Sequence, residues 1–375
     1  MTQNNIIVTY DPKKDEKKIY EELLGFQAPV TFLNVIAPEK KDSVLKDANI
    51  IVSESFSENE IQKDEVKKVA NLRFVQLIFA GADNVPFDLI PENVPVACNQ
   101  GAFAGPVAEH TLAMALALAK SLLPKHTLLS RGKFDQTGLN KTLKGGICGI
   151  IGLGGNGKAV AKLMRAVGLQ VYGINHSGRT DITVDYIGSP GNIQKILEES
   201  NIIVLAVPLD RHTRNLIGPS ELKLMKPDVI LINVARGDII NQKALYEHMA
   251  SHPEFRAGID TWWSEPASHG AFKLEYPFFD LPNFIGSPHN ADIVPDAMLT
   301  ATRLALNNVK NFLQGHRVKG ILNRKDYCNS LVLIKPIKSL HVLTGVSHRF
   351  YRELKYFQLD IKDCRGIKPP ERWQY

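Results

Sequence analysis

Cysteine is scarce in this chain. Its four cysteines, Cys98, Cys148, Cys328 and Cys364, have none of the paired spacing that zinc sites and redox dithiols require. No metal is therefore expected, and buried free thiols are. Uninterrupted apolar runs long enough to cross a bilayer are also missing, which argues against a membrane-spanning part. The opening stretch MTQNNIIVTYD lacks the basic, apolar and small-residue order of a secretory signal, so a cytoplasmic protein is expected. Most of the chain carries no excess charge. The net +6 comes from residues 323–375, with eleven Lys/Arg against five Asp/Glu, whereas the preceding 322 residues balance at 34 against 34. A neutral body with a basic tail gives little reason to expect a nucleic-acid binder, and neither nucleic acid nor a membrane is the expected partner.

What is present is an ordinary globular composition, 44% apolar and 22% charged, over 375 residues. That length exceeds what one core usually fills, so two domains are expected. In the first hundred residues the apolar runs NIIVTYD, PVTFLNVI, NIIVSES, FVQLIFAG and VPVACN alternate with polar or helical connections such as DEVKKVANL, the pattern of a parallel sheet covered on both faces. Next comes GPVAEHTLAMALALAKSLLPKHTLL, which reads as one long buried helix broken at Pro124. A second strand series follows, GGICGIIG, LQVYGIN, NIIVLAVP, DVILINVA, RAGID and NFIGSPH, separated by helical stretches such as KAVAKLMRAVG and IQKILEES. PDAMLTATRLALNNVKNFLQG, residues 295–315, is an amphipathic helix placed to cross back to the first domain. The predicted fold is α/β with two doubly wound parallel-sheet domains. A Rossmann dinucleotide-binding domain (102–294) is inserted in a flavodoxin-like substrate domain (1–101 and 295–325), followed by a basic C-terminal extension (326–375).

GLGGNG, residues 152–157, stands after one predicted strand and before a helix. Gly152, Gly154 and Gly157 occupy the glycine positions of G-x-G-x-x-G, a spacing that lets the chain turn sharply, lets a pyrophosphate approach the backbone and lets the helix pack close to the sheet. With Gly155 and Asn156 between them, they are candidate cofactor residues. The next strand ends at Asn175-His176-Ser177-Gly178-Arg179, without the Asp or Glu that meets the ribose hydroxyls in NAD-binding proteins. Asn175, His176 and Ser177 can donate hydrogen bonds and Arg179 can pair with a 2′-phosphate, which favours NADP. A solvated loop with NAD bound indifferently is the alternative.

Three later strand ends carry reactive side chains: Arg236 in NVARGDII, Glu265 in GIDTWWSEP and His289 in GSPHNA. In a doubly wound sheet, strand C-termini converge on the ligand crevice. Reduction of a 2-oxo acid needs a cation for carboxylate and carbonyl and a proton donor for the oxygen. Arginine suits the first role and histidine the second, with a carboxylate beside the histidine favouring its charged form.

These motifs, in the order GADN (81–84), VAEHTLAMALALA (107–119), GIIGLGGNG, AVPLDRHTRNLIG (206–218), LKLMKPDVILINVARGDIINQKAL (222–245), GIDTWWSEP and SPHNA, resemble the D-isomer-specific 2-hydroxyacid dehydrogenase family over residues 45–325. The resemblance implies that Arg236 binds the substrate's carboxylate and carbonyl, that Glu265 orients and charges His289, and that His289 is the general acid/base. It further implies that amides around Gly81 and Ala82 hold the substrate carboxylate. Asp260, Val234, Ala235, Arg236, His289 and Ala291 would face the nicotinamide end, and Val207 and Pro208 the adenine-nucleotide side. Two departures stand out: Trp262-Trp263 in place of a smaller apolar pair, read as packing, and Asn290 in place of an apolar residue. The implied substrates are small 2-oxo acids such as glyoxylate, hydroxypyruvate or pyruvate. The implied assembly is a homodimer built on the 107–125 helix region. The two domains are expected to be joined by a hinge near 100–105 and 290–296, with substrate in the cleft between them. A phosphoglycerate dehydrogenase-like enzyme and a dinucleotide-sensing corepressor are the alternatives. The tail is too short for the sensing domain that often follows phosphoglycerate dehydrogenases and reads as a disordered or loosely docked extension, with a membrane-surface contact or packing on a partner subunit through its apolar LVLIKPIKSLHVL as the alternatives.

Overall fold

The computed structural model describes residues 4–57 and 59–327. The first strand series forms a sheet of β1 (Ile6–Val8), β2 (Val30–Phe32), β3 (Ile50–Ser53), β4 (Phe74–Leu77) and β5 (Val96–Ala97). The second contains β6 (Ile147–Ile151), β7 (Gln170–Ile174), β8 (Tyr186–Gly188), β9 (Ile202–Leu205), β10 (Ile230–Asn233), β11 (Arg256–Ile259) and β12 (Phe284–Gly286). The strand orders are β2-β1-β3-β4-β5 and β12-β11-β10-β9-β6-β7-β8, with every pairing between named strands parallel. The first is the flavodoxin-like order. The second reverses direction between β6 and β9, the switch point at which doubly wound sheets bind ligands. The edge strand β8 was not anticipated; its core is only Tyr-Ile-Gly, too short to stand out as an apolar run.

The apolar runs are continuous because both sheet faces are covered. Ile6, Val8, Ile50 and Val52 enter one core, while Ile7, Ile51, Val75 and Leu77 enter another on the opposite face. In the second sheet, Ile202 and Val204 share the first core, and Ile203 and Leu205 point the other way. Cys98 and Cys148 are buried free thiols, pushed up by burial to about 11 and about 12. Cys328, Cys364 and the basic extension beyond residue 327 lie outside the described residues.

The single long buried helix is corrected to two. One spans Ala104–Ala119 and the next Leu122–Ser130, with the break at Ser121, whose φ is +49°. Pro124 falls within the first turn of the second helix, where its missing N–H would have had no intrahelical partner. The second helix is not buried either: Leu122, Leu123 and Leu129 are 54%, 50% and 56% exposed. Apolar composition marked this stretch as helix-forming and core-seeking, but it does not say what covers the helix.

The helix Ala297–Leu313 returns to the first sheet. Its buried stripe of Ala301, Ala305, Leu306 and Val309 joins the first core, Phe312 stacks on Phe74 of β4 with centroids 4.5 Å apart, and Arg303 pairs with Glu22 of the Lys14–Leu24 helix.

Candidate active site

The glycine loop follows β6. Gly152 has φ +104°, and a Cβ there would lie 2.5 Å from the Ala206 carbonyl oxygen, so only glycine makes this turn. A Cβ at Gly157 would lie 2.0 Å from the Gly152 carbonyl oxygen, which is how closely the helix Gly155–Ala166 packs on the strand end. Gly154 has open space where its side chain would be, directly at that helix's N-terminus. Bare backbone, free amides and room together suit a pyrophosphate. Gly155 answers to a separate constraint, since a Cβ there would meet Gly101 Cα at 2.4 Å on the segment leaving the first sheet.

After β7, two of the proposed donors already serve the turn itself. Asn175 Nδ2 donates to the Arg179 carbonyl at 2.7 Å, and Ser177 Oγ lies 3.1 Å from Asn175 Oδ1. His176 and Arg179 are exposed, and their side chains have no polar partner among the described residues. Val207 and Pro208 follow β9, with the Val207 side chain beside Gly152.

A cleft of about 960 Å³ is lined by Gly81, Asn156, Val234, Arg236, Asp260, Glu265, His289 and Ala291, drawn from the ends of β4, β6, β10, β11 and β12. Ala82 and Ala235 are buried and do not line it, although their neighbours Gly81 and Arg236 do. His289 Nδ1 and Glu265 Oε2 are 2.8 Å apart. Glu265 Oε1 also accepts the Trp262 N–H at 2.6 Å, which fixes the carboxylate's orientation. His289 adopts a left-handed φ of +50°, held by its own N–H donating to the Asp260 carbonyl at 2.8 Å.

Burial opposes a charged imidazole, but the hydrogen bond and negative charge of Glu265 outweigh it and leave the His289 pKa raised. Burial likewise opposes the Glu265 carboxylate, and the hydrogen bond and charge of His289 leave its pKa lowered. The two shifts agree on an ionised pair.

Asp260 is fully buried. Its Oδ1 accepts Ser287 Oγ–H at 2.5 Å and the Asn290 N–H at 3.2 Å. Because the Ser287 proton is spent on Asp260, His110 Nε2, 2.8 Å from Ser287 Oγ, must be the donor to it. Asn290 thus serves through its backbone. His110 was missed; its only signal was a lone histidine on an Ala/Leu-rich helix. Asp83, missed as well, accepts Arg236 Nε–H at 3.1 Å. Trp262 and Trp263 pack: their indole N–H groups donate to the Ser287 and Ile240 carbonyls at 2.7 and 2.6 Å, Trp262 contacts Phe272, Phe279 and Phe284, and Trp263 stacks on Phe278. Both also border the cleft.

The sheet orders and the crevice define a doubly wound dinucleotide-binding protein. Residues 112–291 match the family model for the D-isomer-specific 2-hydroxyacid dehydrogenase NAD-binding domain. The chain is 30% identical over 256 residues to hydroxypyruvate reductase from Thermotoga maritima, an alignment covering 67% of this chain and 81% of that protein. It is 28% identical over 344 residues to D-3-phosphoglycerate dehydrogenase from Methanocaldococcus jannaschii, covering 91% of this chain and spanning only 63% of that protein's length. Its fold matches the structure of a putative formate dehydrogenase from Pyrobaculum aerophilum with a TM-score of 0.72 at 25% identity, covering 86% of this chain and 99% of that one. The chain belongs to the D-isomer-specific 2-hydroxyacid dehydrogenase family, and the two sequence relatives named above are oxidoreductases of 2-hydroxy acids.

Proposed function

We propose that this protein reduces a small 2-oxo acid such as glyoxylate or hydroxypyruvate with NADPH. The observation that carries the reading is the 2.8 Å His289–Glu265 pair sharing one cleft with Arg236. When bound, the reduced nicotinamide supplies hydride to the substrate's oxo carbon. Arg236 and the amides around Gly81 and Ala82 hold the carboxylate, and Arg236 also faces the oxygen on which negative charge develops. His289, its Nδ1 occupied by Glu265, donates the Nε2 proton to that oxygen and is left as the neutral imidazole. Asp260, Val234, Ala235 and Ala291 would border the nicotinamide, and the 152–157 loop with Val207 and Pro208 the rest of the dinucleotide. Closure of the two domains, with boundaries near 101 and 295, would turn on 100–105 and 290–296, where Gly101 and Asp296 have φ of +81° and +61°.

NADP is favoured over NAD by the missing carboxylate after β7 and by Arg179, whose side chain has no polar partner among the described residues. The test is a panel of 2-oxo acids, including phosphohydroxypyruvate, assayed with NADPH and NADH side by side for wild type and Arg179→Ala. Expected are turnover with an unphosphorylated acid, a preference for NADPH, and loss of about tenfold of that preference in Arg179→Ala, the scale of one hydrogen bond to a charged group. Preference for NADH would refute the cofactor assignment. Absence of turnover would favour a dinucleotide-sensing role.

Self-association through the 104–130 helices is also proposed, supported by the exposed Leu122, Leu123 and Leu129. Sedimentation equilibrium should give a dimer that Leu123→Glu with Leu129→Glu converts to monomer. A monomeric wild type would remove this proposal.

A further inference from the structure

We propose that Asp83 is the positioning residue for Arg236, holding its guanidinium so that the outer edge is presented to the substrate's carboxylate and carbonyl oxygens. The inference rests on the reading above. An arginine has five N–H donors in a planar fork, and what matters is which of them are already engaged. Arg236 Nε–H is taken by Asp83 Oδ2 at 3.1 Å, and one Nη1–H by the Ala235 carbonyl at 2.8 Å. Nη2 lies against Gly81, where a Cβ would come within 1.9 Å of it. The side chain is therefore pinned along its Nε side and against the loop backbone. With Nε–H and one Nη1–H engaged, the second Nη1–H and both Nη2–H groups have no hydrogen-bond acceptor among the described residues, which leaves donors on the Nη edge for a planar pair of oxygens.

Among the described residues, Arg236 is the cation with which Asp83 forms an ion pair. The two come from different sheets, Asp83 from the loop after β4 and Arg236 from the end of β10. The pair therefore also ties the loop that would hold the carboxylate to the strand end that would hold the oxo group. A carboxylate beside an anion-binding arginine carries a cost, because it offsets part of the charge that attracts the substrate. Its single contact on Nε, away from the free edge, makes it a brace, whereas a contact on the Nη edge would make it a competitor. Both side chains are about one-third exposed, at 31% and 29%, so solvent screening limits the purely electrostatic part and geometry carries the effect.

The experiment compares full-length wild type, Asp83→Ala and Asp83→Asn, measuring kcat and KM for the best 2-oxo acid and the Kd for NADPH. Asp83→Ala should lose about tenfold or more in kcat/KM, through a raised KM together with a lowered kcat, with NADPH affinity unchanged. Asp83→Asn keeps an oxygen to accept Nε–H and should recover much of that loss. The pH profile adds a readout that a merely structural role would not move. His289 is faced by Glu265, Asp260 and Arg236, and Arg236 pulls its pKa down. Removing the Asp83 charge strengthens that pull, so the alkaline limb of reduction should move to lower pH in both variants. An unchanged or lowered KM in Asp83→Ala overturns the proposal, the lowered value meaning that Asp83 competes with substrate. If wild type reduces no acid in the panel, the reading above fails. Asp83 is then judged by calorimetric binding of oxalate to the NADPH complex, where equal affinity of wild type and Asp83→Ala, or no binding to either, overturns it.

Discussion

His289→Ala should slow 2-oxo acid reduction by ~10²-fold or more while leaving NADPH affinity nearly unchanged. The size follows from what the residue does: general acids contribute ~10² to 10⁴ by supplying a proton as charge builds on oxygen, and alanine has none to give. The selectivity follows from where it sits. His289 is positioned by Glu265 on Nδ1 and by its own backbone N–H on the Asp260 carbonyl, whereas the pyrophosphate would bind at Gly152–Gly157 after a different strand. The pH dependence has a definite sign. Reduction needs the imidazolium, so its rate falls as pH rises through the raised His289 pKa. Oxidation of the 2-hydroxy acid needs the neutral ring and rises through the same value. Glu265→Gln removes the charge that raises it, moving both limbs to lower pH. Steady-state rates in the two directions between pH 5 and 10, with a dinucleotide titration of each variant, check all of this; an intact rate in His289→Ala would sink the acid assignment.

The sequence carried the strand series because both sheet faces are buried, so β1, β3, β6, β9 and β10 appear as unbroken apolar runs. The local glycine logic was equally readable, since Gly152 and Gly157 are constrained by atoms a few residues or one strand away. Arg236, Glu265 and His289 stood out because each follows a strand of the second sheet and strand C-termini share one crevice. What could not be read depends on contacts between distant segments. Asp83 and Arg236 are 153 positions apart, and no periodicity links an acidic loop residue to the arginine it will brace. His110 is separated from Ser287 by 177 positions and looked like an odd residue on an apolar helix. The break at Ser121 was missed because proline is the louder breaker signal, although at its third helical position Pro124 displaces no hydrogen bond. Asn175 and Ser177 suit a ligand by their chemistry, yet short polar side chains after a strand as readily tie off their own turn, as both do here.

Arg236→Ala should damage substrate binding and turnover together, with kcat/KM falling ~10²- to 10³-fold, the cost of removing one positioned donor from a developing oxyanion. Two losses coincide in this one side chain. The ground-state carboxylate loses its cation and KM rises; the carbonyl oxygen loses a donor that matters more as charge accumulates, and kcat falls. Arg236→Lys separates them. A lysine keeps the charge but offers a point donor in place of a planar fork, and it has no Nε–H to meet Asp83 at the observed position. It should therefore restore part of the KM while leaving kcat low. Removing the arginine also removes the positive charge that pulls on His289, so the alkaline limb of reduction should move to higher pH, opposite to the Glu265→Gln shift. Kinetics of the three proteins across pH, with NADPH titrations to confirm an intact dinucleotide site, decide the matter. If Arg236→Ala raised KM alone with kcat untouched, the guanidinium would be a carboxylate anchor only, and stabilisation of the reacting oxygen would have to come from His289 and the Gly81–Ala82 amides.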